Sequence, residues 1–213
     1  MSLPHLLNLA THVGTGGIAI ALGFAVLARP KGDARHKRWG RRFVVLTTIV
    51  VATAATGLAV FRWMPLFAVL TLLVGYQLLS GWRAARTRDA GPNRLDLALS
   101  LLAAALAAVL IPVALRDPDV PRAVLLGSCG ALAAVLSYDL LRWLAPARWH
   151  IAAWRYEHLY KMNAALFGMI SAFIGNTVRA WQPWSQLLPS IIGVIAVLVQ
   201  GWRLAQSTPC SAR

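Results

Sequence analysis

Seven long apolar runs divide this chain, and they constrain its fold more than any other feature. They occupy approximately residues 5–28, 43–62, 64–85, 95–115, 121–143, 160–180 and 185–204. A helix needs about 20 apolar residues to cross the hydrocarbon core of a bilayer, which is roughly 30 Å thick. Only 13% of the 213 residues are charged, about half the share found in an ordinary soluble domain. The pattern predicts an all-α bundle of seven transmembrane helices, forming a single domain over residues 1–213.

Basic residues lie mainly in alternate gaps between these runs. Seventeen of the 21 lysines and arginines fall in the segments 29–42, 83–94, 142–161 and 203–213, and the other gaps hold four. Because lysine and arginine concentrate in cytoplasmic loops, we expect the N-terminus outside and the C-terminus inside. The excess of arginine over lysine is typical of a GC-rich bacterial genome, so we expect a bacterial inner membrane.

The net charge of +14 would suggest a nucleic-acid-binding protein if the chain were soluble. Here the basic residues sit in short gaps beside apolar runs. We therefore expect no nucleic-acid partner, and instead anionic lipid headgroups bound at the cytoplasmic face.

The segment 146–158 differs from the gaps around it. It is too polar to span a membrane, and it carries Trp149 and Trp154 among basic residues. This composition predicts a short interfacial helix that lies along the membrane surface before the sixth span.

The first apolar run carries a polar face. His5, Asn8, His12 and Gly16 recur every three or four residues, so they lie on one side of a helix. His12 lies roughly 10 Å along that helix, at a depth where an ionisable residue points to a function or to a hydrogen bond between helices. Asn176, near the outer end of the sixth run, is expected at a comparable depth. Asn8, His12 and Asn176 therefore form a candidate pocket.

Imidazoles and a carboxylate gather at the predicted cytoplasmic ends of several runs. The candidate metal ligands there are His36, Asp139, His150 and His158. Imidazole and carboxylate groups suit zinc or another first-row transition metal. Two imidazoles on different helices also suit the iron of haem b. The candidate haem ligands are His12, His36, His158 and Met162.

A structural interpretation of the same residues stays open, because no compact metal-binding motif is present. Asp139 can pair with Arg142 at i+3, and Glu157 can pair with Lys161 at i+4. Interfacial histidines are also often only solvated.

Several blocks of the sequence resemble a bacterial family of predicted multi-pass membrane proteins of unknown function. The opening blocks are THVGTGGIAIALGFAVL and ARHKRWGRRF, which correspond to a His/Gly-containing first helix and a His-Arg-x-x-Gly-Arg start of the second. The matching positions are His12, Gly16, Gly23, His36, Gly40 and Arg41, and Lys37 stands where the family usually has arginine. A later block, WRYEHLYKMNAALFGMISAFIGN, is also similar. The resemblance implies a membrane location and no particular activity. A looser similarity, at the level of fold, is to two-haem membrane cytochromes.

Three functions follow as expectations. The leading one is a metal- or haem-binding membrane redox protein with a histidine cluster at the cytoplasmic rim and a redox or membrane-protein partner. The second is a transporter or lipid-handling protein with a polar pocket around His12 and Asn176. The third is a non-catalytic assembly or sensor subunit. The sequence leaves open whether the protein is an enzyme and what its oligomeric state is.

Overall fold

The structure, a computed structural model, describes residues 2–207. Every regular element within that range is helical, as the sequence predicts. The α-helices of this range are α1 (Leu3–Leu27), α2 (Ala34–Thr56), α3 (Pro65–Thr87), α4 (Arg94–Arg116), α5 (Arg122–Leu141), α6 (Ala147–Thr177) and α7 (Trp184–Ser207). A π-helical turn, Gly57–Phe61, extends α2, and short 3-10 turns follow α3, α5 and α6.

Local sequence signals set the helix starts. Pro65 opens α3, where its missing N–H would have no helical partner. Asp33 caps α2 by accepting a hydrogen bond from the His36 backbone N–H, so α2 begins inside the basic stretch rather than at residue 43. Asn93 and Asp96 form a reciprocal capping box at the start of α4, which satisfies two otherwise unpaired backbone donors.

The predicted interfacial helix at 146–158 is not a separate element. It is the first part of α6, which runs without a break for 31 residues, or roughly 46 Å at 1.5 Å per residue. No glycine or proline occurs between Ala147 and Phe167, so nothing in this segment interrupts the helix. Trp149 is exposed as expected, but Trp154 is half-buried and donates a hydrogen bond to Asp89 over 3.0 Å.

The centre of the bundle is formed by α3 and α6. Helix α3 packs against α2, α4, α5 and α6, and α6 also packs against α1 and α7. Apolar clusters on these helices form the core, for example around Val74 and Leu166 on one side of α3 and around Leu73 and Leu132 on another. The outward faces of α1 and α7 expose many leucine, isoleucine and valine side chains.

Six helices of the described chain are long and apolar enough to cross a membrane. They are α1 to α5 and α7, with the short turns that extend α2, α3 and α5 included. Helix α6 falls outside this set because it carries polar residues on its inner face, among them the buried Lys161, Asn163 and Ser171. Six apolar helices agree with a membrane protein.

Candidate functional site

A buried ion pair joins α5 to α6. The Lys161 ammonium group donates to both carboxylate oxygens of Asp139, over 2.6 and 2.8 Å. Lys161 is 0% exposed and Asp139 is 1% exposed. A single charge buried at this place would lose its hydration without compensation, so each residue depends on the other.

Arg142 extends the pair to a second carboxylate. Its Nε lies 3.3 Å from Asp139 Oδ1, and its Nη1 donates to the buried carboxylate of Glu157. Glu157 also accepts a hydrogen bond from the Tyr138 hydroxyl over 2.8 Å. We call Asp139, Arg142, Glu157 and Lys161 the charge network. It contains two acidic and two basic side chains, so its formal charge is balanced.

Tyr76 connects the charge network to α3 and α4. Its hydroxyl donates to Asp139 Oδ2 over 2.5 Å and lies 2.8 Å from Ser100 Oγ. Ser100 also donates to the backbone carbonyl of Asp96 over 2.9 Å. The Tyr76 side chain is itself buried. Four helices, α3 to α6, therefore meet through one set of buried polar contacts.

A second ion pair lies between α3 and α4. Arg83 Nε donates to Asp96 Oδ1 over 2.6 Å, and its Nη2 donates to Asn93 over 2.8 Å. These residues lie at the end of the bundle formed by residues 29–42, 83–94 and 142–161, which we call the basic end. The Arg83–Asp96 pair joins the last turns of α3 to the start of α4 there.

An apolar groove of about 350 Å³ opens on the side of the bundle between α2, α3 and α4. Aliphatic residues such as Val51, Leu58, Leu102 and Leu106 line it, and no charged residue is among its lining residues. Its volume lies within the range of small-molecule binding sites, about 300–1,000 Å³. Its lining comes from helices long and apolar enough to cross a membrane, so a hydrocarbon chain is the group that this surface suits.

Tyr76 belongs both to the groove and to the buried polar contacts. It is one of the residues that line the groove, and its hydroxyl is bound to Asp139. On the opposite wall, Ser100 lies between Leu99 and Ala103, which also line the groove. Tyr76 is therefore shared by the groove and the buried polar contacts.

Two of the predicted cofactor ligands, His36 at the start of α2 and His158 on α6, lie toward the basic end of the bundle. His158 Nδ1 lies 2.9 Å from the carbonyl oxygen of Gly81, while His36 Nδ1 is buried and has no hydrogen-bond partner among the described residues. Met162, one turn after His158, packs against Gly81.

The four predicted metal ligands do not come together. Asp139 is bound within the charge network. His150 lies against the turn at Gly91, whose φ of 74° and closeness to the imidazole both exclude a side chain. No group of three or more His, Cys, Asp or Glu residues that could hold a metal ion occurs within residues 2–207. Asp139 and His150 are thus held in contacts of their own, apart from a shared metal site.

The predicted polar face of α1 holds α1 to α2. His12 Nδ1 lies 3.0 Å from Thr53 Oγ1, and Asn8 donates to the Thr53 carbonyl over 3.1 Å. Asn176 is exposed and accepts a hydrogen bond from Arg179, three residues further on, over 2.9 Å. None of Asn8, His12 and Asn176 lines the groove. Asn8 and His12 bond to α2, whereas Asn176 bonds to the turn that follows α6.

Sequence reasoning missed the pairing of Lys161. It places Lys161 opposite Glu157 on the same helix, whereas the ammonium group bonds to Asp139 on α5 and Glu157 pairs with Arg142. The predicted pair of Asp139 with Arg142 does form. The available signal was a lysine directly before the apolar stretch MNAALFGMISAF, because a lysine in that position needs a carboxylate partner.

Comparison with protein-family models, curated proteins and solved structures gives no match. The fold and composition alone indicate the class of the protein, a helical membrane protein. The resemblance to a family with a His/Gly-containing first helix agrees with that class, and no family model supports it further.

Proposed function

We propose that this protein is a lipid-handling membrane protein whose groove binds the hydrocarbon chain of a lipid-soluble molecule. The molecule's polar head would lie at Tyr76, next to the charge network. The observation that carries the proposal is the double position of Tyr76, which lines an apolar groove and hydrogen-bonds a buried carboxylate. This keeps the lipid-handling function expected from the sequence and moves its site from His12 and Asn176 to the groove.

The charge network supports a functional site over simple packing. Ionisable residues inside a membrane bundle are costly and usually functional. Replacing buried ion pairs with apolar residues of similar volume is often neutral or stabilising. Stability alone therefore does not require four buried charges here, and their contact with Tyr76 supports a role in the site.

The proposed topology has seven spans, with α6 as the sixth, and the basic end in the cytoplasm of a bacterial inner membrane. The distribution of lysine and arginine supports this orientation. The long α6 supports the seventh span, because Lys161, Asn163 and Ser171 in its middle are buried in the bundle and its length exceeds the bilayer core. Arginines that stack on tryptophans, such as Arg29 over Trp39 at 4.6 Å, would then lie where anionic lipid headgroups bind.

Lipid that copurifies with the protein tests the proposed function. The protein would be purified in a mild detergent, and its bound lipids extracted and quantified by mass spectrometry. We expect about one enriched molecule per chain, lost in Leu102→Trp, which fills the groove. Leu101→Trp is the matched control, since Leu101 is similarly exposed and does not line the groove. Equal lipid content in wild type and both variants would contradict the proposal.

A second candidate function is the binding of haem or a transition metal by His36 and His158. A metal-bound histidine usually donates its second ring N–H to a carbonyl or carboxylate. The contact of His158 Nδ1 with Gly81 fits that role and leaves Nε2 for a ligand. Met162 would be a further ligand from the next turn of α6. In this candidate the protein is a membrane redox protein with a redox partner.

The visible spectrum and the metal content of purified protein test this candidate. Haem gives a Soret band, and a metal site gives a stoichiometric metal in elemental analysis. Either signal should be lost in His36→Ala and His158→Ala. It should persist in His5→Ala, because His5 stacks on Phe61 far from both residues in the fold. A spectrum without a Soret band, together with no stoichiometric metal, would contradict this candidate function.

A further inference from the structure

The charges and hydrogen bonds around Tyr76 favour one class of polar head in a bound lipid. We propose that the groove binds a neutral lipid with a hydroxyl head, and that Tyr76 accepts a hydrogen bond from that hydroxyl. The inference rests on the proposed function, and it adds the chemical class of the ligand.

The charge balance excludes an anionic head. Asp139 and Glu157 already face Lys161 and Arg142 in the charge network, and no charged residue lines the groove. A phosphate or carboxylate head would bring a negative charge to a buried place that has no free positive partner among these residues. Burying an unpaired charge costs several kcal/mol, so an anionic lipid would bind with its head elsewhere.

The hydrogen-bond capacity of Tyr76 favours a donor over an acceptor. A phenol hydroxyl has one hydrogen to donate and two acceptor sites. The hydrogen is directed to Asp139 Oδ2 over 2.5 Å. Ser100, which lies 2.8 Å away, has a single hydrogen and can fill at most one acceptor site. The contacts within residues 2–207 therefore leave one acceptor site of the Tyr76 oxygen without a hydrogen.

A head with only acceptor atoms, such as an ester or a ketone, finds no free hydrogen on Tyr76. It could bond only by displacing Asp139, which would lose a hydrogen bond to a charged acceptor. A hydroxyl head can donate to the open acceptor site and leave every existing contact in place. A long-chain alcohol, a prenol or a diacylglycerol has this chemistry.

Three probes with one chain and different heads test the inference. Each carries the same dibrominated eighteen-carbon chain, and the heads are a hydroxyl, a methyl ester and a carboxylate at mildly alkaline pH. Bromine quenches indole fluorescence on contact, and Trp63 lines the groove. The Trp63→Phe variant gives the background from the other tryptophans. The protein would be used as a full chain in detergent micelles.

We expect the alcohol probe to bind with an affinity about five- to tenfold higher than that of the ester or the carboxylate probe, as measured by quenching of Trp63. This difference is the effect of one hydrogen bond. Tyr76→Phe should remove this preference and leave the affinity for the ester unchanged. Tyr138→Phe is the matched control, because Tyr138 also bonds a carboxylate of the charge network and does not line the groove. It should keep the preference.

The outcomes distinguish selectivity for a hydroxyl head from lipid binding by the groove. Saturable quenching of Trp63 with equal affinity for all three probes would overturn the hydroxyl selectivity while the groove still binds lipid. Tightest binding of the carboxylate or the ester would overturn it as well. No quenching specific to Trp63 would overturn the proposed function itself. The comparison of probes on wild-type protein needs no variant, so it stands even if Tyr76→Phe folds poorly.

Discussion

Lys161 on α6 and Asp139 on α5 form a doubly hydrogen-bonded ion pair in the interior of the bundle, with Nζ 2.6 and 2.8 Å from the two carboxylate oxygens. Tyr76 binds the same carboxylate from α3. Through Tyr76, the pair therefore ties α5 and α6 to α3, one of the helices that line the groove. Its energetic role and its functional role can be measured separately.

Removal of one partner of this pair should destabilise the fold strongly. We expect Lys161→Met to lower the free energy of unfolding by about 3 kcal/mol or more, because Asp139 loses its closest counter-charge. The double variant Lys161→Met with Asp139→Leu should be more stable than the sum of the two single variants predicts. Chemical unfolding in detergent measures all three, and Lys37→Met, at an exposed position, is the control. Additive losses would show that the two residues are not coupled.

The apolar runs of the sequence were enough to predict a helical membrane protein, because helix length and hydrophobicity follow from local composition. They did not predict that residues 146–158 belong to α6. The pairing of Lys161 was not predictable in this way. Which of several nearby carboxylates a lysine meets depends on how α5 and α6 rotate about their axes, and that rotation is set by packing between helices. The same reason explains why Asp139 and His150 make other contacts and do not join a metal site within the described residues. The groove was also not predictable from the sequence, since it arises where α2 and α4 are separated from each other on the surface of α3.

The capping box of α4 should contribute more to the free energy of unfolding than an acidic residue at the opposite end of the bundle. Asp96 accepts hydrogen bonds from Arg83 and from the Asn93 backbone N–H. We expect Asp96→Asn to lower the free energy of unfolding by about 2 kcal/mol, since hydrogen bonds to a charged acceptor are stronger than neutral ones. Asp119→Asn, at an exposed position, should change it by less than about 0.5 kcal/mol. Similar losses in the two variants would contradict the role of the cap.

Close packing of α6 on α7 should make one glycine of α7 intolerant of a methyl group. A Cβ at Gly193 would lie 2.8 Å from Cβ and Cγ of Phe167, whereas a Cβ at Gly201 would meet nothing within 4 Å. We expect Gly193→Ala to lower stability by about 1–3 kcal/mol and Gly201→Ala to leave it unchanged or slightly raised. Thermal unfolding of the two variants checks this, and equal midpoints would show that α7 is not packed as described.

The proposed topology predicts that the two ends of α6 face opposite sides of the membrane. On a background with Cys129 and Cys210 replaced by serine, Arg155→Cys should react with an impermeant maleimide only after the cytoplasmic side is opened. Trp181→Cys should react from outside in intact spheroplasts. Both residues are exposed. Labelling of both positions from the same side would show that α6 does not span.

Photo-crosslinking in the native membrane tests directly whether the groove holds a specific lipid-soluble molecule. A photoreactive amino acid at Leu106, which lines the groove, is compared with the same amino acid at Leu198, an exposed position on α7. Mass spectrometry then identifies what each position has captured. We expect one enriched neutral lipid at position 106 and the bulk membrane phospholipids at position 198. The same phospholipid mixture at both positions would contradict it.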